Sequence, residues 1–410
     1  MKIIDPFSFF GTISFCFLVL CTAGPAFSFA KTEKDVKELS DNNTAFALDL
    51  YSDLKEQEGN LFFSPYSISA AFAMAYAGAK EETAEEMRQT LHFSLPEEKL
   101  HPAFKDLSAR LTKLEKQEVI ELSVANSLWP QEGYPLRKEY LKVMNNYYDT
   151  NVQAVDYRKN PEKSRQTINK WVADKTRDKI KDLIPPGAID SMARLVLANA
   201  IYFRGKWQNS FSENKTRDLP FRLGKEGEIK TPIMKQTGQF SYYETSKVQV
   251  LAIPYRGRQV QMVIVLPREL GALPMVEKQL QDNLDKYLRN LKPRQVDLYL
   301  PRFKVSSRFR LEKTLSDMGM KTAFLPKADF SGIDGTRNLY IAAAVHKAFV
   351  DVNEKGTEAA AATGIAFATT SIQPEPTVFK ADHPFFFIIR DTVSESILFM
   401  GRVTNPSAGE

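Results

Sequence analysis

Residues 354 to 371, EKGTEAAAATGIAFATTS, alternate between two kinds of side chain at every second position. One parity holds the larger apolar groups and the other holds a charge and small groups. The first is Thr357, Ala359, Ala361, Thr363, Ile365 and Phe367, and the second is Glu358, Ala360, Ala362, Gly364, Ala366 and Ala368. This period is typical of a half-buried β-strand, although Ala favours helix and both Ala and Gly are poor strand formers.

Two interpretations of this stretch stay open on its residues alone. One is a surface helix from Glu354 to Ala362 that Gly364 closes as a C-cap. The other is a segment that is exposed in one state and becomes a strand in another. Its small side chains would slide easily between existing strands, and Gly356 would serve as a pivot because its φ is free.

Elsewhere the apolar pattern alternates between helical and strand periods. It predicts helices at Asp41–Leu54, at Ser67–Ala77, after a capping box of Thr83 and Glu86, at Leu136–Tyr147, Ser164–Ile184 and Met275–Leu288, and within Val305–Met318. It predicts strands at Leu122–Trp129, Val152–Tyr157, Ala193–Phe203, Phe240–Tyr243, Gln249–Pro254, Gln261–Leu266, Gln295–Leu300, Leu339–Asn353, Phe385–Arg390 and Ser396–Phe399. With no βαβ repeat, these elements indicate the α/β class with mixed, mainly antiparallel sheets.

The run from Ala193 to Phe203 is almost wholly apolar but contains Asn199. A strand buried on both faces has this composition, and a buried amide needs a hydrogen-bonding partner inside the protein. The sequence therefore predicts a polar contact in the middle of a central strand.

The first 30 residues have the features of a secretory signal peptide. A lysine precedes an apolar run, and a small-x-small site ends at Ala30, so we expect cleavage there and a mature domain of residues 31–410. Pro6 and Gly11 make a membrane anchor the weaker alternative, and a lipid-modified Cys21 is a further one. The predicted location is extracellular, or periplasmic in a bacterium. Both cysteines, Cys16 and Cys21, lie in this segment, which leaves the mature chain without disulfides.

Charge does not indicate a nucleic-acid ligand. The chain is 26% charged with a formal net charge of +5, and its most basic window, Lys105 to Lys116, interleaves acids and leucines at helical spacing. A solvated amphipathic helix explains that window better than a polyanion site. Asn42-Asn43-Thr44 and Asn214-Lys215-Thr216 are glycosylation sequons if the source is eukaryotic.

No motif of an enzyme site is found in the sequence. A zinc-protease pair, a Walker loop, a dinucleotide fingerprint and a nucleophile elbow are all absent. None of the four histidines, His92, His101, His346 and His383, has ligand spacing to another. His346 lies among strand-like apolar residues, which favours a hydrogen-bonded core histidine over a catalytic base. We therefore expect no catalytic residue, no metal and no cofactor.

Five ordered motifs give the chain a resemblance to the serpin family over nearly its whole mature length. They are Asn60 to Ile68 (NLFFSPYSI), Asn199 to Trp207 (NAIYFRGKW), Val345 to Ala348 (VHKA), Glu354 to Ala360 (EKGTEAA) and Phe379 to Phe385 (FKADHPF). The resemblance implies a fold of three β-sheets and about nine helices. It also implies an exposed reactive-centre loop at about residues 354–378, with its hinge at Glu354, Gly356, Thr357, Glu358, Ala359, Ala360, Ala361 and Ala362.

By this resemblance the loop would insert between the strand Ala193–Phe203 and the strand Leu339–Asn353. Strand addition to a sheet is an established mode of recognition, of which serpin loop insertion is itself a known example. The parity that holds Thr357 and Phe367 would then face the core, and Glu358 would stay in water.

The resemblance places the bond that a protease cleaves at Thr370-Ser371. Ser371-Ile372 and Ile372-Gln373 are alternatives, and a chymotrypsin-like enzyme could cut at Phe367. A small uncharged residue before the bond suits an elastase-like or subtilisin-like pocket and offers nothing to a trypsin-like one.

The resemblance also suggests positions that control insertion. Ser64, Ser67, Asn199 and His346 resemble the family's shutter, a polar cluster beneath the strands that open. Trp207 and Arg302 belong by the same resemblance to the breach, where the loop enters, and Glu354 is expected to pair with Arg302.

The implied function is suicide inhibition of a serine protease by a secreted monomer, through a covalent complex and with no nucleic-acid or membrane partner after signal cleavage. A non-inhibitory carrier or chaperone, and an inhibitor of papain-like cysteine proteases, are the alternatives. Inhibition is favoured because residues 359 to 368 contain neither proline nor charge.

Overall fold

The computed structural model describes residues 26–150, 152–224, 227–356 and 375–408. Within these ranges the α-helices are Ala26–Leu54 (α1), Pro65–Tyr76 (α2), Glu81–Thr90 (α3), Glu97–Lys116 (α4), Lys138–Val143 (α5), Pro161–Lys175 (α6), Leu273–Lys278 (α7), Leu280–Arg289 (α8), Leu311–Asp317 (α9) and Ser331–Asp334 (α10).

Thirteen strands are present in the same ranges. They are Leu61–Phe63 (β1), Ile120–Pro130 (β2), Leu195–Gly205 (β3), Arg217–Arg222 (β4), Glu228–Glu244 (β5), Val248–Pro254 (β6), Val260–Pro267 (β7), Lys292–Pro301 (β8), Phe303–Arg310 (β9), Ile341–Val352 (β10), Thr377–Lys380 (β11), Phe385–Asp391 (β12) and Ile397–Val403 (β13).

A four-stranded sheet with the order β2-β3-β10-β9 contains the two strands between which insertion is predicted. The pairs β2-β3 and β10-β9 are antiparallel, whereas β3 and β10 are parallel. Parallel neighbours need a long connection between them, so the centre of this sheet joins two distant parts of the chain.

The other strands form one hydrogen-bonded path, β1-β13-β12-β7-β6-β5-β8-β11, with β4 on the side of β5. Strand β5 has 17 residues and divides this path into two parts. It pairs with β8 over Ile233–Tyr242 and with β6 only over Ser241–Glu244. The path can therefore be counted as two sheets that share β5. Together with the four-stranded sheet, this gives the three sheets that were expected.

Helix α2 packs against strands of both sheets, and all of its residues are buried. Its sequence, PYSISAAFAMAY, is apolar or small on every side, as in a core helix. Pro65 occupies the first helical position and the Ser64 side chain accepts a hydrogen bond from the Ser67 backbone N–H, which fixes the start of the helix. The helix therefore places two polar side chains, Ser64 and Ser67, beneath the four-stranded sheet.

Three local predictions are wrong. The segment Val152–Tyr157 makes only a single bridge, between Val155 and Gln131, and is not a strand. The helix predicted to run to Ile184 ends at Lys175 and continues as turns. Thr83 and Glu86 do not form a capping box.

The side chains of the supposed capping box have tertiary partners instead. Helix α3 begins after Lys80. Thr83 Oγ1 accepts from the Asp329 N–H, and the Glu86 carboxylate accepts from the N–H and the hydroxyl of Thr322. These tertiary hydrogen bonds replace the local capping box. They cannot be predicted from the residues around Thr83 and Glu86, because the partners are distant in sequence.

Helix α1 begins at Ala26, upstream of the predicted cleavage point after Ala30, so cleavage there stays a prediction. No helix in the described part of the chain combines the length and apolarity that crossing a bilayer requires.

Candidate functional site

The line of predicted insertion runs between β3 and β10, and in this structure it is closed. The two strands pair from Leu195 opposite Ile341 to Phe203 opposite Val350, with one irregularity near Ala343. A strand entering here would replace this ladder with two new ones.

One rung of the four-stranded sheet carries a polar cluster across that line. Asn126 of β2 lies opposite Asn199 of β3, Asn199 lies opposite His346 of β10, and His346 lies opposite Phe309 of β9. The His346 Nδ1–H donates to Asn199 Oδ1, and the Phe309 ring lies parallel to the imidazole at 6.2 Å between centroids. Separating β3 from β10 therefore breaks the contact between His346 and Asn199.

Both nitrogens of His346 are used. Nε2 accepts a hydrogen bond from the Ser64 backbone N–H at 3.2 Å, so Nδ1 carries the proton that goes to Asn199. The side chain is fully buried, and burial lowers its pKa to about 3. The imidazole is therefore neutral at physiological pH and acts as a fixed hydrogen-bonding bridge.

Ser64 and Ser67 complete the cluster from helix α2. The Ser64 hydroxyl donates to the Leu398 carbonyl at 2.6 Å, which ties the start of α2 to β13. Asn199 Nδ2 donates to the Ser67 carbonyl at 3.0 Å and to the Ser67 hydroxyl oxygen at 2.7 Å. The four residues predicted as a cluster are thus in mutual contact.

Asn126 belongs to the same cluster and was missed by the sequence analysis. It accepts hydrogen bonds from the Ser67 hydroxyl and from Asn199 Nδ2. Its sequence signal is the one that identified Asn199: an amide at the strand position where Leu122 and Leu128 place apolar side chains on the core face.

The second group of predicted residues lies at the C-terminal end of β10, where the chain leaves the sheet. Trp207 Nε1–H donates to the Asn353 carbonyl at 2.9 Å, and its indole stacks on Tyr255 at 4.5 Å with an interplanar angle of 8°. The Phe211 N–H donates to the Glu354 carbonyl at 2.9 Å. These contacts hold the first hinge residues against the segment that follows β3.

Glu354 is buried, with 3% of its surface exposed, and Arg302 neutralises it. Arg302 Nε lies 2.8 Å from both carboxylate oxygens, and the Thr216 hydroxyl also donates to Oε1. Burial opposes the charge on Glu354, but the hydrogen bonds from Arg302 and Thr216 outweigh it and hold the pKa of this carboxyl below its ordinary value. The expected pair of Glu354 with Arg302 is present.

Gly356 packs against backbone in a conformation that favours glycine. Its φ is +74°, and a Cβ added there would lie 2.3 Å from both the Gly205 carbonyl oxygen and the Trp207 nitrogen. No other residue can occupy this position without moving the hinge or the end of β3.

The remaining loop predictions lie outside the described residues. These are the hinge positions Thr357, Glu358, Ala359, Ala360, Ala361 and Ala362, the bond Thr370-Ser371, and the alternative bonds at Ser371, Ile372 and Phe367. Among the residues that are described, no three His, Cys, Asp or Glu side chains form a group that could hold a metal ion.

Comparisons with known proteins agree with this architecture. A family model described as "Serpin (serine protease inhibitor)" matches residues 41–406. The leukocyte elastase inhibitor of Bos taurus is 41% identical over 90% of this chain and 100% of the bovine protein. An uncharacterised serpin-like protein of Thermococcus kodakarensis is also 41% identical, over 89% of this chain and 85% of its own length.

Solved structures show the same fold. Serpin48 of the insect Tenebrio molitor superposes with a TM-score of 0.79 at 32% identity, over 92% of this chain and 98% of the insect protein.

Proposed function

Because this chain belongs to the serpin family, we propose that it is a suicide-substrate inhibitor of serine proteases with a preference for small uncharged residues. The observation that carries the proposal is the closed parallel pair β3 and β10, with the hinge residues Glu354 and Gly356 fastened at its upper end. Two elements needed for insertion are thus adjacent: a line where a strand can enter, and a chain segment that starts at that line.

The proposed reaction begins as ordinary proteolysis. The protease serine attacks the carbonyl carbon of Thr370, the amine of Ser371 leaves, and an acyl-enzyme forms. Cleavage frees the loop from its C-terminal attachment at β11. The residues after Gly356 then enter between β3 and β10 as a new strand.

Insertion is favourable because it adds hydrogen bonds and buries apolar side chains. A new central strand gains ladder bonds on both sides, and the parity of Ile365 and Phe367 is removed from water. About ten residues of strand span roughly 33 Å, so the attached protease would be carried far along the molecule. Distortion of its catalytic site before hydrolysis would leave the covalent complex.

The polar cluster of Asn126, Asn199 and His346 is proposed to set the rate of insertion. Entry between β3 and β10 must break the contact of His346 with Asn199, which the closed sheet holds beneath its centre. If β3 and β10 are held together too strongly, the acyl-enzyme is hydrolysed before the loop inserts. If they are held too weakly, the loop inserts without a protease.

The target class follows from Thr370 and is supported by similarity. The names of several relatives, in Bos taurus and Homo sapiens, are those of leukocyte elastase inhibitors. For this chain we propose an elastase-like or subtilisin-like target, a monomeric inhibitor and secretion after cleavage at Ala30.

The test is incubation of the purified protein with neutrophil elastase, with trypsin as the control. We expect a complex that survives denaturing electrophoresis and a released peptide that begins at Ser371 by mass spectrometry. In the variant Thr370→Arg, complex formation should move from elastase to trypsin, because an arginine at that position fits a trypsin-like pocket. Cleavage without complex and without a gain in heat stability would favour a non-inhibitory serpin.

Two further assays address the alternatives. A complex with papain, formed through a Cys thiolate, would assign the protein to cysteine proteases instead. N-terminal sequencing of protein secreted by a host cell should read Lys31 first, and retention of the chain in the cell would contradict the proposed secretion.

A further inference from the structure

Two positive side chains face each other across the last two strands of the four-stranded sheet. Arg308 of β9 lies directly opposite Lys347 of β10 in the antiparallel register. Four residues further along β10, Asp351 lies opposite Lys304, and their charged groups are 3.8 Å apart. Opposite charges placed across a strand pair stabilise it, whereas like charges destabilise it. The pair of Arg308 and Lys347 is therefore a local excess of positive charge.

Arg308 is exposed and has no counter-ion. In the part of the chain that the structure describes, no carboxylate pairs with its guanidinium and no acceptor takes a hydrogen bond from it. Arg310, two residues along the same face of β9, is by contrast paired with Glu312 at 3.1 Å. The five N–H donors of Arg308 are thus available to a ligand.

Lys347 is half-buried beside the segment that follows α6. Its Nζ donates to the Lys181 carbonyl at 2.8 Å, which uses one of the three ammonium donors. Ile180 of that segment packs in one buried apolar cluster with Val345 of β10, so the segment covers this face of the sheet. Burial, and after it the charge of Arg308, lowers the pKa of Lys347. A bound anion would favour the charged form and oppose both causes.

One carboxylate acts on this pair without neutralising it. The charge of Asp182 raises the pKa of Lys347, but among the described residues Asp182 forms an ion pair with neither Lys347 nor Arg308. The neighbouring Lys181 and Asp178 are paired with each other at 3.6 Å and cancel. Two cations therefore face one carboxylate, and a net positive charge remains.

We propose that Arg308 and Lys347 together bind a small tetrahedral dianion such as inorganic phosphate. A guanidinium presents a planar fork to two oxygens and an ammonium acts as a point charge, so one ion with several oxygens can contact both. Residues directly opposite each other have Cβ atoms about 5 Å apart, a separation that one ion bridges. The position of Lys347 beside the covering segment favours a free ion over a bulky polyanion.

Binding is measured by calorimetric titration of the native protein with phosphate at neutral pH, with chloride holding the ionic strength constant. We expect Arg308→Gln to weaken phosphate binding about tenfold, because the planar fork is lost. Arg310→Gln is the matched control: it removes the same side chain from the same face of β9, and should change the affinity less than about twofold. No binding to the wild type, or equal affinities in the two variants, would overturn the proposal.

The opposite sign is expected for Asp182→Asn. Loss of the carboxylate that acts on Lys347 should strengthen phosphate binding about threefold. Asn tolerates the left-handed backbone of this position, where φ is +51°, so the fold should be retained. An unchanged or weaker affinity would contradict the placement of the ion beside Lys347.

Stability gives an independent measurement. In phosphate-free solution at low ionic strength, Arg308→Gln should raise the denaturant midpoint, because the repulsion across the strand pair is removed. Phosphate should then raise the midpoint of the wild type and leave that of Arg308→Gln almost unchanged. Equal stabilisation of both proteins would mean a general salt effect and would exclude the site. None of these measurements involves a protease, so their outcome is separate from that of the proposed inhibition.

Discussion

His346 acts as a neutral bridge between β3 and β10, the two strands that the proposed insertion would separate. Its two hydrogen bonds join β10 to β3 and to the start of helix α2, in a part of the core that water does not reach. A buried donor or acceptor that loses its partner retains most of its desolvation penalty. The closed sheet therefore depends on this one side chain more than on any exposed ion pair.

The first prediction concerns His346→Ala. We expect a loss of about 3 kcal/mol in the free energy of unfolding, because the Ser64 N–H and Asn199 Oδ1 lose their partner and a cavity remains. Polymer or inserted monomer should appear in size-exclusion chromatography. His92→Ala is the control, since His92 contacts Asp49 near the surface. A stable monomer with normal inhibition would refute the role given to His346.

The second prediction is the pH dependence of stability. An unfolded histidine gains its proton near pH 6.5, whereas His346 stays neutral until about pH 3, so the native state binds fewer protons in this window. Stability is then full above pH 6.5 and falls as the pH is lowered toward 3. Denaturant midpoints measured from pH 7 to 4.5 should decline, and less steeply in His346→Gln. An identical slope would contradict this account.

The third prediction concerns Arg302→Ala, which leaves Glu354 buried beside Thr216 alone. We expect a loss of about 2 kcal/mol, since water replaces part of the contact of a half-exposed arginine. The lowered pKa of Glu354 means that this contribution is present above pH 4.5 and is lost as the pH falls through the folded value. The difference in melting temperature between wild type and variant should therefore be largest at pH 7 and should shrink as the pH is lowered below 4.5. Arg289→Ala, which breaks an exposed pair with Asp285, should change the melting temperature at neither pH.

At the scale of elements, the sequence predicts strands well where apolar runs are long or alternation is clean. Strands β3 and β10 lie within one or two residues of their predicted ends. The helix within Val305–Met318 is confirmed as α9, but the strand β9 before it was not recognised. Buried positions in β9 alternate with the exposed residues Lys304, Ser306 and Arg308, which is a strand pattern. Most of these residues were assigned from the sequence to the segment that contains the helix.

Other contacts could not be predicted from the sequence because they join residues that are far apart along the chain. The partners of Thr83 and Glu86 lie more than 200 residues away. The cluster around His346 could be proposed from resemblance, yet the shared rung that makes it span the line of insertion is a matter of strand register. The register between two parallel strands joined by a long connection cannot be predicted from the sequence of either strand alone.

The fourth prediction tests the packing of the hinge element. Gly356→Ala should lower the melting temperature by several degrees and expose the hinge to limited proteolysis, because its Cβ would meet backbone at 2.3 Å. Gly271→Ala is the matched control: its φ of +83° imposes the same backbone strain, but nothing lies within 4 Å of its Cβ. Equal effects of the two substitutions would show that strain, rather than close packing, explains the glycine.

At the scale of the whole molecule, the proposed function requires a second arrangement of the same chain. In that arrangement the alternation of residues 357 to 368 decides which side chains enter the core. The proposed insertion would change the structure at the line between β3 and β10, where the two strands pair directly in the native fold.

The fifth prediction uses the two parities of the loop. Ala361→Arg places a charge on the parity that faces the core, and we expect elastase to cleave this variant without complex and without a gain in heat stability. Ala362→Arg places the same charge on the parity that faces water, and inhibition should persist. Denaturing gels and melting curves of the cleaved proteins report both outcomes. The reverse pattern would mean that the register of insertion is shifted by one residue.

The pairing of early strands with late ones also restricts how the molecule is made. The Ser64 N–H and His346 that it contacts are 282 residues apart, and the Asn60 side chain binds the Thr404 N–H across 344 residues. The larger sheet cannot close while a ribosome still holds β12 and β13, so its final folding follows translation rather than accompanying it. For the proposed secretion this delay has a use, because a chain whose larger sheet is still open is in the unfolded form that a translocon passes.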